Sequence, residues 1–175
     1  MEISIDKVLF ATDFSPATGA AFSYAAAIAG RYHSRLYVAH VINPESFYLF
    51  EPESAQTMIK QAHDEAARKL TQLLAPLRLE PDRYEIVVAE GAVSEVLIEA
   101  IQTNHIDLAV LGTHGRRALK KLLMGSIAEE VFRLAPCPVL TVGPKNAPVM
   151  AAHLPKSDTA HELVSRAACP VLTIR

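Results

Sequence analysis

Gly112-Thr-His-Gly115, followed by Gly125-Ser126, sets three of the chain's seven glycines and a hydroxyl between an apolar run and the start of a helix. A glycine-rich connection that ends at a helix N-terminus offers backbone N–H groups and the positive end of the helix dipole. That chemistry suits phosphate. Upstream, Ile106–Leu111 predicts a buried parallel strand. Downstream, Ser126 and Glu129 form the S-x-x-E pattern of a capped helix. Each feature also has a plainer use. Glycines serve loops with positive φ, and Ser126 can cap a helix while touching a phosphate. Arg116, Arg117, Lys120 and Lys121 crowd the same loop. Exposed charges are screened beyond about 8 Å at physiological salt, so backbone amides are expected to dominate and these side chains to help modestly. His114 is expected to be an exposed loop imidazole.

Asp13 is the second candidate, because it follows the apolar run Lys7–Thr12 and so sits at the carboxyl end of a predicted strand. In open α/β sheets, ligands bind outside the strand carboxyl ends, where successive crossovers diverge to opposite faces. If the first and fourth strands are neighbours, Asp13 and the glycine loop share one crevice. A carboxylate there accepts hydrogen bonds from ribose hydroxyls or an adenine amine. The alternative is an acidic residue favoured by the helix that follows, worth about 0.3–1 kcal/mol. Position alone leaves both open.

The elements that must hold these residues alternate along the chain. Strands are predicted at 7–12, 35–41, 84–89, 106–111 and 138–142. Between them lie a helix from Ser15 and Pro16 to about His33, with Gly30 near its end, and an amphipathic helix over 53–77. A third helix, capped by Ser94, runs to about Asn104, and a fourth starts at Ser126. Continuous apolar strands separated by helices demand a parallel sheet covered on both faces. The expectation is a doubly wound, five-stranded α/β domain over residues 1–143.

The remainder repeats the end of that domain. Shifted by 32 positions, Ala128–Val142 matches Ala160–Ile174 at eight of fifteen positions, including Cys-Pro-Val-Leu-Thr at 137–141 and 169–173. The expectation is a proline-containing linker over 144–156 and a second helix and strand over 157–175. Thr159 and Glu162 offer a capping box. The copy lost the glycines, so one phosphate site per chain follows.

Several classes are disfavoured. A net charge of −2 argues against a nucleic-acid binder. No apolar stretch has the length of a membrane span, and the basic-then-apolar layout of a signal peptide is missing, so a cytoplasmic protein is expected. Two cysteines, Cys137 and Cys169, make neither a disulfide framework nor a zinc site. G-x-x-x-x-G-K-[ST], G-x-G-x-x-G after the first strand and G-x-S-x-G are all absent. The histidines show no ligand spacing. Binding is better supported than catalysis.

With Ala11-Thr-Asp-Phe-Ser15, His40-Val41, Asp107-Leu-Ala-Val-Leu-Gly112-Thr-His-Gly115, Gly125-Ser126 and Cys-Pro-Val-Leu in order, the chain resembles the universal stress proteins. G-x2-G-x9-G-[ST] is the signature of that family's ATP-binding members, and all of it is present. The resemblance implies strand order 3-2-1-4-5, an adenine nucleotide alpha hydrolase-like sheet. It implies an adenine pocket near Ala11, Thr12 and Val41, and ribose contact by Asp13. Phosphate contact falls to Gly112, Gly115, Gly125 and Ser126, with a backbone contact from Ile127 and help from Arg116. Magnesium or manganese would be held through the phosphates. The family often has proline where Ala11 stands.

The resemblance also implies pairing of fifth strands, and a homodimer is expected through the fifth-strand edge and the C-terminal tail. The extra tail could cover that edge in its own sheet or cross to a partner subunit. The leading reading is an ATP-binding stress-response module. A slow ATP hydrolase and a nucleotide-free dimeric scaffold are the rivals. Enzymes of the same broad fold that cleave ATP would show S-G-G-x-D or H-x-G-H, which Ala11-Thr-Asp-Phe-Ser15 does not match.

Overall fold

A computed structural model describes residues 4–15, 18–113, 125–143 and 171–173. Five strands, β1 (Lys7–Ala11), β2 (Arg35–Ile42), β3 (Tyr84–Glu90), β4 (Leu108–Gly112) and β5 (Val139–Val142), lie in the order β3-β2-β1-β4-β5, every neighbour parallel. The expected order is met. Helices α1 (Thr18–Tyr32), α2 (Pro52–Leu74), α3 (Val93–Thr103) and α4 (Ser126–Leu134) lie between them in sequence. None of the described helices is long and apolar enough to cross a membrane.

Strand alternation sorts the core into two layers. Val8, Phe10, Leu36, Val38, Leu108, Val110, Leu140 and Val142 pack in one cluster with Ala21, Ala25 and Ala29 of α1 and Leu70 and Leu74 of α2. Leu9, Tyr37, Ala39, Ala109, Leu111 and Val139 form the other, with Leu97 and Ile101 of α3 and Val131 of α4. The first two crossovers therefore cover one face and the last two the other. The switch falls between β1 and β4, the place where such sheets open a crevice. Asp107 ties the two strands together at the opposite end. Its Oδ2 accepts the N–H groups of Asp6 and Lys7, both at 2.9 Å.

Helix starts depart from the caps read in the sequence. The N-cap of α3 is Ala92, in extended conformation and with no side-chain hydrogen bond, while Ser94 is buried inside the first turn. Gly91, at φ 139°, turns the chain sharply after β3, so the helix starts before Ser94 is reached. At α1, Ser15 contributes its carbonyl instead of its hydroxyl. Thr18 donates both its N–H (3.1 Å) and its Oγ1–H (2.7 Å) to it. Pro16 lies outside the described residues. Gly30 does not end α1; His33 does, with φ 57°, and Ser34 N–H donates to Ala29 O at 2.9 Å. His105 (φ 51°) closes α3 the same way, with Ile106 N–H donating to Ile101 O at 3.0 Å. Both are Schellman closures without glycine.

A sixth strand, β6 (Val171–Thr173), pairs antiparallel with β5 on the outer edge of the sheet. Of the two placements open to the tail strand, it takes the one in its own sheet. The expected linker and copied helix lie outside the described residues.

Candidate functional site

At the end of β1 the chain turns on Thr12, whose polar groups are all engaged. Its N–H donates to Ala39 O (2.9 Å), and its hydroxyl accepts from Phe14 N–H (2.9 Å) and donates to Thr18 Oγ1 (3.0 Å). Its carbonyl lies 2.8 Å from His40 Nδ1. A carbonyl only accepts, so that contact fixes the proton on Nδ1. Thr12 is buried and acts as a bracket. What it holds out is Asp13, half-buried, whose Oδ1 accepts Ser15 N–H at 3.0 Å in an Asx-type turn.

Phe14 adopts φ 60°, left-handed for a bulky residue. Such a conformation costs about 1–3 kcal/mol and persists only where its surroundings over-determine it. Here the Thr12 hydroxyl holds the Phe14 N–H. The ring packs on His40, with centroids 4.5 Å apart, while Lys69 Nζ lies 5.3 Å from the ring centre. Lys69 also pairs with Glu65 Oε1 at 3.2 Å. Hydrogen bonds from Arg68, then Lys69, hold the Glu65 carboxyl below its ordinary range. Ser15 Oγ is buried without a hydrogen-bond partner among the described residues.

The second half of the site lies at the end of β4. Gly112 closes the strand opposite Val142, and Thr113 N–H donates to Val142 O at 2.9 Å. Thr113 O in turn accepts Gly125 N–H at 2.8 Å, which pins the start of α4 against the end of β4. The N-cap of α4 is Gly125, not Ser126. Ser126 is the first helical residue, and Glu129 N–H donates to Gly125 O at 3.0 Å. The S-x-x-E spacing is displaced because the bond to Thr113 O sets where the helix begins. Gly125 has no side chain with which to cap α4, and a helix leaves its first-turn N–H groups without partners inside the helix. Ser126 and Ile127 are exposed.

Gly125 is not required by its own backbone. Its φ of −71° suits any residue. Among the described residues, an added Cβ would meet only Thr113 O, at 3.5 Å, an ordinary contact. Serine would also make a better cap than glycine.

The register joins the two halves. Ala11 lies opposite Leu111 on one side and Ala39 on the other, so Asp13 and Gly112 leave the sheet at the same end of adjacent strands. Val41 lies beyond Ala39 on β2, half-buried against the α3–α4 layer. Ala11, Thr12, Asp13, Val41, Gly112, Gly125, Ser126 and Ile127 are thus gathered around the switch point. Gly115 and Arg116, with His114, Arg117, Lys120 and Lys121, lie outside the described residues. Sequence reasoning missed the bracing roles of Phe14, His40 and Lys69, whose only signal was the aromatic beside Asp13.

Among the described residues no other cluster competes well. His63 Nε2 meets Glu90 Oε1 at 2.7 Å in an open depression shared with Gln56, Ile59 and Lys60, a surface pair without a nucleophile among its lining residues. Burial pushes the Cys137 thiol up, away from the reactive thiolate. Among the described residues no group of three or more His, Cys, Asp or Glu could hold a metal.

Comparison with known proteins places this geometry. The profile described as the Universal stress protein family matches residues 4–143. Universal stress protein A homolog 1 of Coxiella burnetii is 33% identical over 138 residues, covering 77% of this chain and 94% of that protein. Universal stress protein MJ0531 of Methanocaldococcus jannaschii is 28% identical over 140 residues, covering 78% and 81%. The solved structure of hypothetical protein MJ0577, from the same archaeon, superposes with a TM-score of 0.74 at 25% identity, covering 83% of this chain and 100% of that one. The matched span holds all five parallel strands and both halves of the crevice, and this chain belongs to the universal stress protein family.

Proposed function

We propose that the chain is an ATP-binding stress-response module with one nucleotide laid across the carboxyl ends of β1 and β4. Adenine sits near Ala11, Thr12 and Val41, and the ribose hydroxyls donate to Asp13. The triphosphate lies against the amides of Gly112, Gly115, Gly125, Ser126 and Ile127, with Arg116 adding charge. Thr12, its polar groups already engaged, contributes contact area and the placement of Asp13. Magnesium or manganese is held through the phosphates. The nucleotide acts as an occupant that changes conformation or partner.

One observation carries this reading: a glycine caps α4 where neither backbone angle nor described neighbours require one. Clearance for a ligand beside the helix dipole accounts for it. A structural neighbour, a universal stress protein in complex with cAMP, shares the fold at a TM-score of 0.57 and 21% identity. That protein's ligand makes adenine nucleotides the class to test first. Mass spectrometry of small molecules released from gently purified protein is the test. ATP or ADP near one per chain supports the reading, whereas cAMP alone would replace the triphosphate and leave the crevice.

A further inference from the structure

β5 and β6 are two copies of one sequence, Val-Leu-Thr, laid side by side. Val139 pairs with Thr173, Leu140 with Leu172, and Thr141 with Val171. In the alignment of the repeat, Val171, Leu172 and Thr173 are the counterparts of Val139, Leu140 and Thr141. The pairing is therefore reciprocal. Leu140 faces its own counterpart, and each flanking residue faces the counterpart of the other. A local two-fold axis passes between Leu140 and Leu172. This is the arrangement that two separate copies of β5 would make if they paired antiparallel about a two-fold axis with Leu140 at its centre. Any antiparallel pairing of two copies of one sequence is reciprocal in this sense; what the observed register adds is the place of the axis, at Leu140 and Leu172.

We propose that β6 is a built-in stand-in for the β5 of a second copy of this chain. It occupies the edge through which two copies would otherwise pair, so the intact chain does not dimerise there. Displacing β6 opens a homotypic β5–β5 contact in the same register. The inference rests on the fold and the repeat, and stands whether or not the crevice takes a nucleotide.

Three arguments support it. First, all four residues of β5 are buried, and without β6 its outer edge would present unpaired N–H and C=O groups, a template for another strand. Second, the two competitors are chemically alike, because a neighbour's β5 offers the same Val-Leu-Thr backbone that β6 offers. Third, proximity then decides between them. A strand joined to its target within one chain competes at an effective concentration set by the connection, here residues 143–170, and this falls from the millimolar range of short linkers only as about the −3/2 power of length. A second molecule at micromolar concentration cannot match that on equal contacts.

The test uses the full chain carrying Cys137→Ser and Cys169→Ser, so that only introduced thiols react. Directly opposed residues in an antiparallel pair have Cα atoms about 4.5–5.5 Å apart, within disulfide range. Leu140→Cys/Leu172→Cys should oxidise within one chain and keep the 19.0 kDa mass on a non-reducing gel. Thr141→Cys/Val171→Cys gives a second pair with the same expectation should the first disturb the core. Val171→Pro/Leu172→Pro removes the N–H at both alternating positions, whichever of them faces β5. Light scattering should then give twice the mass, and Leu140→Cys in that background should link two chains through position 140. Crosslinks that join two chains in the Leu140→Cys/Leu172→Cys protein would mean exchanged tails and overturn the proposal. So would a doubly proline-substituted chain that keeps its circular dichroism and remains a monomer at every concentration.

Discussion

On the proposed function, Gly125 and Asp13 each combine a structural and a ligand-facing role that substitution can separate. Serine at position 125 fits the observed φ of −71° and supplies the missing cap. Gly125→Ser should leave stability unchanged or raise it by a few tenths of a kcal/mol, while weakening ATP about tenfold or more. Urea unfolding and calorimetric titration read the two effects separately, and unchanged affinity would show that clearance at position 125 serves no ligand. Asp13→Asn keeps an oxygen for the Ser15 N–H, so the turn should survive. It removes the charge, and charge-assisted hydrogen bonds are roughly twice as strong as neutral ones. ATP affinity should fall about tenfold at constant melting temperature; a matching loss of stability would make Asp13 a structural residue. The residues that suggest this site stood out in the sequence because residue type carries the suggestion: bare glycines would suit phosphate, and a carboxylate would suit hydroxyls. The turn that aims Asp13 was not legible there. The left-handed backbone of Phe14 depends on His40 and Lys69, contacts that exist only after β2 and α2 have packed.

Periodicity at the scale of elements revealed five strands and four helices, because burial on both faces of a parallel sheet leaves unbroken apolar runs. Helix ends were harder to read. A Ser-x-x-Glu pattern marks a cap only if the chain turns into the helix there, and tertiary bonds fix where it does. Gly125 N–H to Thr113 O sets the start of α4, and Gly91 sets that of α3. At the other ends His33 and His105 took the left-handed position expected of glycine. The displaced caps leave room for improvement. Ala92 is exposed and caps α3 with no side-chain bond, while Glu95 stands three residues later. Ala92→Ser should complete a capping box with Glu95 and stabilise the fold by about 0.5–2 kcal/mol. Chemical denaturation checks this, and an unchanged midpoint would show that α3 begins elsewhere.

For the whole molecule, two layers of helices diverge at the seam between β1 and β4, and that seam supplies the crevice. The family resemblance implied that these strands are neighbours, whereas composition and periodicity left their order open. The bonds from Asp107 to Asp6 and Lys7 show how the chain enforces it. The repeated tail was visible as sequence identity, but its reciprocal register with β5 needed the sheet. Occupancy of the crevice has a consequence for stability, since a ligand that binds only the folded state adds about 2.7 kcal/mol at a hundred times its Kd. The most direct measurement is isothermal titration of the full chain with magnesium ATP, alongside Gly115→Val and Arg116→Ala. A saturable isotherm near one ATP per chain is predicted, abolished by Gly115→Val, where a β-branched side chain fills the phosphate cradle, and weakened far less by Arg116→Ala. A flat titration of ligand-free wild-type protein, or equal losses from the two substitutions, would contradict it.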